Sequence, residues 1–212
     1  MRKHIVCLGD SNTHGYCAEP WDCADGGIRF NEDERWTCLL QDMLGRDYLI
    51  TEDGLSGRTT VFKDPIHEDM DAFSVINPIL KAHEFVDLLI IMLGTNDTKE
   101  RLNATAPVIG KGMELLVRKA YSVDCWGGKK PNVLIIAPPP IGDGFFDPFM
   151  GDGCVEKSRE LAKWYDETAK LLGCHFLDAA FCEFNGTDHM HLNSKGHRQL
   201  AEKLAELIPT LI

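Results

Sequence analysis

Residues 86–97 read Val-Asp-Leu-Leu-Ile-Ile-Met-Leu-Gly-Thr-Asn-Asp, an apolar run from Val86 to Leu93 that breaks at Gly94 into polar residues. A short run with both alternating faces apolar must be covered on both sides, the condition of a central strand in a parallel sheet. Working outward, Val75–His83 has helical spacing despite Pro78, and Val108–Tyr121 has it again on the other side. A second apolar run, Val133–Ala137, is stopped by Pro138-Pro139-Pro140. Further out, His4–Leu8, Tyr48–Glu52 and His175–Leu177 are shorter strand candidates. Trp36, Leu39, Leu40, Met43 and Leu44 fall on one helical face with Gly45 as a stop. Val155–Leu172 and Ser194–Leu207 are the remaining amphipathic helices. Strand and helix alternate about five times, which predicts an α/β fold: a parallel sheet with helices on both faces. No repeat, low-complexity tract or linker interrupts the pattern, so residues 1–212 are expected to form a single domain.

In an open parallel sheet the ligand lies at the carboxyl ends of the strands. The segments found there are Gly9-Asp10-Ser11-Asn12, Asp53-Gly54-Leu55-Ser56-Gly57, Gly94-Thr95-Asn96-Asp97 and the three prolines. Glycines and polar residues therefore gather where a site belongs. Composition narrows what it acts on. The formal net charge is −11, which excludes a general attraction for nucleic acid or anionic membrane. Long-range steering favours neutral or cationic substrates, although net charge leaves room for a local basic patch. No stretch is long and apolar enough to span a bilayer, and the short apolar run after Met1 is not a signal-peptide core, so a cytoplasmic location is expected. The eight cysteines are scattered without a Cys-x-x-Cys pair and are read as reduced thiols. Cys17 and Cys23, which share a loop, are the candidates for an exception.

Ser11 directly follows a strand and a glycine, which presents its hydroxyl at the sheet edge. A serine there is commonly a helix cap, and it becomes a nucleophile only with a base to take its proton. The base candidate is His191 in Asp188-His189-Met190-His191, where a carboxylate three residues earlier can accept the Nδ1 proton and leave Nε2 for the serine. The competing possibility is that Asp188 caps a turn and His191 is a surface residue. His189 and His191, with His197 or Cys182, are alternative candidates for metal ligands, but no spacing matches a zinc pattern. Oxyanion stabilisation needs several donors. Asn96 offers its side-chain amide, Gly57 a backbone N–H unobstructed by a side chain, and Ser11 its own N–H.

Taken together, Gly9-Asp10-Ser11, Leu55-Ser56-Gly57, Gly94-Thr95-Asn96-Asp97 and Asp188-x-x-His191 resemble, in order, the four blocks of the SGNH (GDSL-type) serine hydrolases. The resemblance runs from residue 9 to residue 191 and implies a flavodoxin-like three-layer α/β/α sandwich with a five-stranded parallel sheet of order 2-1-3-4-5. It implies Ser11 as nucleophile, His191 as base oriented by Asp188, and an oxyanion hole of the Ser11 and Gly57 N–H groups with Asn96, without metal or organic cofactor. The strings Glu52–Thr60 and Ile90–Lys99, with Arg35-Trp36, are similar to the branch of bacterial arylesterases and acyltransferases with perhydrolase activity. Its members act on small acyl esters and often form homo-oligomers. His14 stands where branch members often carry tryptophan and Gly57 where some carry alanine; these two positions and the variable loop from Tyr16 to Phe30 are expected to line the acyl pocket or its rim. Trp21, Phe30, Phe145, Phe146 and Phe149 are expected to line either the pocket or an oligomer contact. Asp10 is read as structural, and Arg58 and Asp97 as a supporting pair or solvated charges. Two other classes stand beside this one: a metal-dependent phosphoesterase, and a non-catalytic flavodoxin-like module holding a phosphorylated ligand. The second leaves Asp188 and His191 unexplained, and the first loop lacks Gly-x-Gly-x-x-Gly.

Overall fold

A computed structural model describes residues 1–212. In chain order the elements are β1 (Lys3–Gly9), α1 (Ser11–His14), α2 (Trp36–Leu44), β2 (Tyr48–Gly54), α3 (Ala72–Lys81), β3 (Leu88–Met92), α4 (Ala106–Ser122), β4 (Val133–Ala137), α5 (Cys154–Leu172), β5 (His175–Asp178) and α6 (Ser194–Leu207). The five strands form one parallel sheet of order β2-β1-β3-β4-β5. All five residues of β3 are buried, as its two apolar faces require. Alternation divides them between two cores. Leu89 and Ile91 join Val6, Leu8 and Ile135 against α3, α4 and α5, where Ile76, Leu116 and Leu161 meet them. Leu88, Ile90 and Met92 join Ile5, Cys7 and Ile136 against α2 and α6, through Leu40, Leu200 and Leu204. The result is the three-layer sandwich.

Register positions the site. Gly9 pairs with Gly54 on one side and with Met92 on the other, so β1, β2 and β3 end level and their loops leave the sheet together. The N–H of Leu55 donates to the Gly9 carbonyl at 3.1 Å, extending that alignment one residue into the loop. Helix α3, whose buried row is Ala72, Ile76 and Leu80, begins at Ala72, three residues before the Val75 expected from the sequence. Asp71 is the reason: its Oδ1 accepts the Ser74 N–H at 2.8 Å and caps the first turn.

Candidate active site

Asp10 sits between β1 and α1 and is the N-cap, its Oδ1 accepting the Asn12 N–H at 3.0 Å. The capping role open to Ser11 in the sequence is thus taken by its neighbour, and Ser11 becomes the first helical residue with its Oγ free for another partner. Burial pushes the Asp10 carboxyl up to about 6, against the opposing pull of the Asn12 N–H, His191 and Arg58.

That partner for Ser11 arrives from the far end of the chain. His191 Nε2 lies 2.8 Å from Ser11 Oγ, and His191 Nδ1 lies 2.7 Å from Asp188 Oδ2. The other Asp188 oxygen accepts three donors: the backbone N–H groups of Met190 and His191 at 2.9 and 3.0 Å, and the Asn185 amide at 2.7 Å. Burial alone would raise this carboxyl, but the hydrogen bond and charge of His191, with those N–H groups, hold it down at about 2. The turn is closed from below by Asn185, whose amide also donates to the His191 carbonyl at 2.9 Å. Asn12 ties the turn to α1, its Oδ1 accepting the Leu192 N–H at 2.8 Å.

The remaining two loops converge on the same place. Ser11, Gly57, Asn96 and His191 line one cleft of about 520 Å³, a size suited to a small organic ligand. Gly57 has φ +90°, a conformation that L side chains rarely adopt, so the position favours glycine. Asn96 follows β3 through Gly94, where φ is +126° and a Cβ would stand 2.3 Å from the Tyr165 hydroxyl. Asp97, next to Asn96, is buried and accepts the N–H of Thr60 at 2.9 Å as well as its hydroxyl. Burial lifts the Asp97 carboxyl to about 6, the Thr60 bonds opposing and the Asp10 charge adding to the rise. Since Thr60 lies three residues beyond Gly57, this contact locks the two donor loops to each other.

A family model of GDSL-like lipases and acylhydrolases matches residues 7–199. The chain belongs to that family. It is accordingly a carboxylic-ester hydrolase. Among solved structures it is similar to the native Mycobacterium smegmatis aryl esterase, at 34% identity and a TM-score of 0.88 over 99% of this chain and 100% of that one. A carbohydrate acetylesterase from Sinorhizobium meliloti is 33% identical, with a TM-score of 0.89 and full coverage of both chains. A lipolytic protein of the G-D-S-L family from Veillonella parvula shares the fold at 19% identity and a TM-score of 0.70, covering 98% of this chain and 99% of that one. No curated protein matches the sequence.

The rim of this GDSL-family cleft departs from the sequence expectation in several places. Of the five loop aromatics only Phe149 lines it. Phe30 is buried with Cys17 and Cys23, Phe145 packs against the Ile141, Met150 and Cys154 cluster, and Trp21 and Phe146 are exposed outside it. His14, the last residue of α1, does not line the cleft, whereas Gly57 does. Cys17 and Cys23 are free thiols, donating to the Glu19 and Arg29 carbonyls. Arg58 and Asp97 do not pair. Arg58 is buried against Asp53, 2.8 Å from its carboxylate, and also donates to the Gly9 carbonyl at 3.1 Å. His189, His191, His197 and Cys182 do not converge, and no group of three or more His, Cys, Asp or Glu side chains is placed to hold a metal ion.

The loop from Tyr16 to Phe30, expected at the pocket or its rim, reaches it through Tyr16, and other residues join the lining without having been singled out by the sequence. The Tyr16 ring lies 4.6 Å from the His191 ring. Ile66, Met190, Lys99 and Arg101 line the cleft, and they come from three separate loops, Lys99 and Arg101 sharing the one after β3. The loop from Tyr16 to Phe30 braces the histidine turn: Glu19 accepts from the Gly186 N–H at 3.1 Å and the Thr187 hydroxyl at 2.9 Å, and Asp22 accepts the Ser194 N–H at 2.7 Å.

Proposed function

We propose that this chain hydrolyses, or transfers, small acyl groups from carboxylic esters through an acyl-enzyme on Ser11. The single observation that carries the reading is the unbroken line Asp188–His191–Ser11, with contacts of 2.7 and 2.8 Å. His191 takes the Ser11 proton as Oγ bonds to the ester carbon. The oxyanion forms where the N–H groups of Ser11 and Gly57 and the Asn96 amide supply donors. Collapse breaks the bond to the alcohol oxygen, which leaves with the proton from His191. Water then attacks the acyl-serine, giving its proton to His191, and the carboxylic acid departs as Ser11 Oγ recovers that proton. An alcohol in place of water yields transfer. The small-acyl preference is supported by the size of the cleft and by the aryl esterase and acetylesterase that the chain resembles.

The resemblance also supports a homo-oligomer, for which the exposed Trp21 and Phe146 offer apolar surface; sedimentation measures it. No helix is long and apolar enough to cross a membrane.

The deciding experiment is hydrolysis of 4-nitrophenyl esters of increasing acyl length, wild type beside Ser11→Ala, with and without chelator. Chelator-resistant turnover that favours short acyl groups, and that falls by about 10³-fold or more in Ser11→Ala, is expected. Undiminished turnover in Ser11→Ala, or its loss on chelation, would overturn the reading.

A further inference from the structure

The cleft wall carries two cations that the hydrolysis of a neutral ester does not use. Asp64 is the anchor: Oδ2 accepts Lys99 Nζ at 3.1 Å and Arg101 Nη2 at 2.6 Å, and Oδ1 accepts Arg101 Nε at 2.8 Å and the Ile66 N–H at 3.0 Å. The Asp64 side chain is wholly buried, while those of Lys99 and Arg101 keep 6% and 18% of their surface and border the cleft. The Arg101 hydrogen bonds, with the Ile66 N–H and Lys99 acting against burial, hold the Asp64 carboxyl well below the usual carboxylate range. One carboxylate therefore faces two cations, which leaves one positive charge unmatched within this buried cluster, where charge is costly to desolvate.

The donors are not exhausted either. Lys99 carries three N–H bonds and places one on Asp64. Arg101 carries five and uses two on Asp64 and one on the Phe149 carbonyl. The other charged neighbour is Asp147, which lines the same cleft. It is half-exposed, accepts the Phe149 N–H at 2.7 Å and pairs with neither cation, so water screens it more than the buried group. With Asp147 the four charges balance formally, in contrast to the molecule's net −11, and the two cations are the buried, cleft-facing members that keep unused donors.

We propose that Lys99 and Arg101 select esters carrying a carboxylate on one of their two halves. The inference rests on the Ser11 esterase reading and names the substrate class of that same cleft. Free N–H groups of the lysine and of the planar guanidinium fork receive the carboxylate, and the apolar contacts with Ile66, Phe149 and Met190 receive the chain that bears it. The competing role is purely structural, a strut fastening residues 99–101 and the Phe149 loop to Asp64.

Two matched substrate pairs separate these roles and locate the charged half. Mono-(4-nitrophenyl) glutarate against 4-nitrophenyl valerate places the carboxylate on the acyl side. 4-Acetoxybenzoate against 4-methylphenyl acetate places it on the alcohol side. Wild type should favour the anionic member of one pair by about 10-fold or more in kcat/KM, and that preference should shrink as ionic strength rises. Arg101→Gln should reduce the preference about 10-fold and Arg101→Lys should restore part of it. No preference in either pair of wild type would overturn the proposal, without recourse to any variant. So would an equal fall for both members of each pair in Arg101→Gln, the signature of a strut. Should none of these esters be turned over, the esterase reading fails by itself, and calorimetric titration of Ser11→Ala with glutarate and with 4-hydroxybenzoate still decides the anion site. Binding that Arg101→Gln abolishes supports it, and absence of binding refutes it.

Discussion

Asp188 divides its labour between its two oxygens, and the division bears on how the proposed chemistry should fail. Oδ1 is saturated by Met190, His191 and Asn185, which hold the carboxylate in place whatever the imidazole does. Oδ2 faces only His191 Nδ1. An amide at this position can keep part of the first set while presenting the wrong group to the ring. Asp188→Asn is therefore expected to fold and bind ester but to lose about 10³- to 10⁴-fold in kcat, as a wrong tautomer does in a serine triad. Because the carboxyl is held at about 2, it is ionised throughout ordinary assay conditions, so the deficit is read at pH 7 to 8 in steady-state kinetics on a short acyl ester. Wild-type turnover in Asp188→Asn under those conditions would contradict this role. Asn96 differs in kind, since its amide is proposed to matter only once the oxyanion exists. Asn96→Ala should lower kcat by about 10²- to 10³-fold with little change in KM, in steady-state kinetics on a short acyl ester.

At the scale of elements, the junction of β3 with its loop is where packing and site geometry meet. The Tyr165 hydroxyl from α5 donates to the Leu93 carbonyl at 3.0 Å and occupies the space that a side chain at residue 94 would need. Gly94→Ala should cost about 2–4 kcal/mol in urea unfolding, since it combines a clash with a strained φ. Tyr165→Phe alone should cost about 1 kcal/mol. The double variant should recover part of the loss but not all of it, because removing the hydroxyl relieves the clash and leaves the backbone strain. Full additivity of the two single effects would show that the hydroxyl is not the obstacle. Glycine at 94 was legible as the end of a strand, yet the tyrosine that demands it lies in α5, and no local pattern announces the contact. The same distinction runs through the elements. The fully apolar β3 and the amphipathic α6 were readable because their periodicity is their structure. Helix α3 starts three residues before the Val75 expected from the sequence: the Asp71 cap holds its first turn, and Ala72, too small to announce an apolar face, begins the buried row that Ile76 and Leu80 continue. Strand β2 runs on to Gly54, past the Glu52 expected from its residues, because pairing with Gly9 of β1 carries it there.

At the scale of the whole molecule, the proposed triad joins residues 180 apart, and only the ordered recurrence of short motifs at strand ends made that union visible in the sequence. Ile66 and Arg101 carry no such signal, since nothing in their neighbours says that several loops will close on one cleft. His197 is another residue whose behaviour belongs to the assembled layers. It sits in α6 behind the site, its ring 4.8 Å from Phe30 and its Nδ1 3.3 Å from the Trp36 N–H, while Nε2 is buried without a partner. Burial, helped by the charges of Arg35 and His191, presses its pKa down to about 3. The unfolded chain takes up a proton here as pH falls through the ordinary histidine value of about 6.5, whereas the folded protein does not until about 3. Between those limits the unfolded state binds more protons, so stability contributed at this position falls as pH falls, by about 1.4 kcal/mol per unit. Asp10 and Asp97, both raised to about 6, act in the opposite sense: the folded state holds their protons more tightly, and their contribution falls as pH rises from about 4 to 6. The wild-type profile is the sum of these trends, so the difference between wild type and His197→Gln isolates the histidine. Glutamine preserves an acceptor for Trp36 and cannot be protonated. Urea unfolding at pH 7 and pH 4.5 should therefore show the variant losing about 2–3 kcal/mol less than wild type over that interval. Parallel losses in the two proteins would mean that water reaches Nε2 in the folded state and that the layer between α2 and α6 is less closed than its packing indicates.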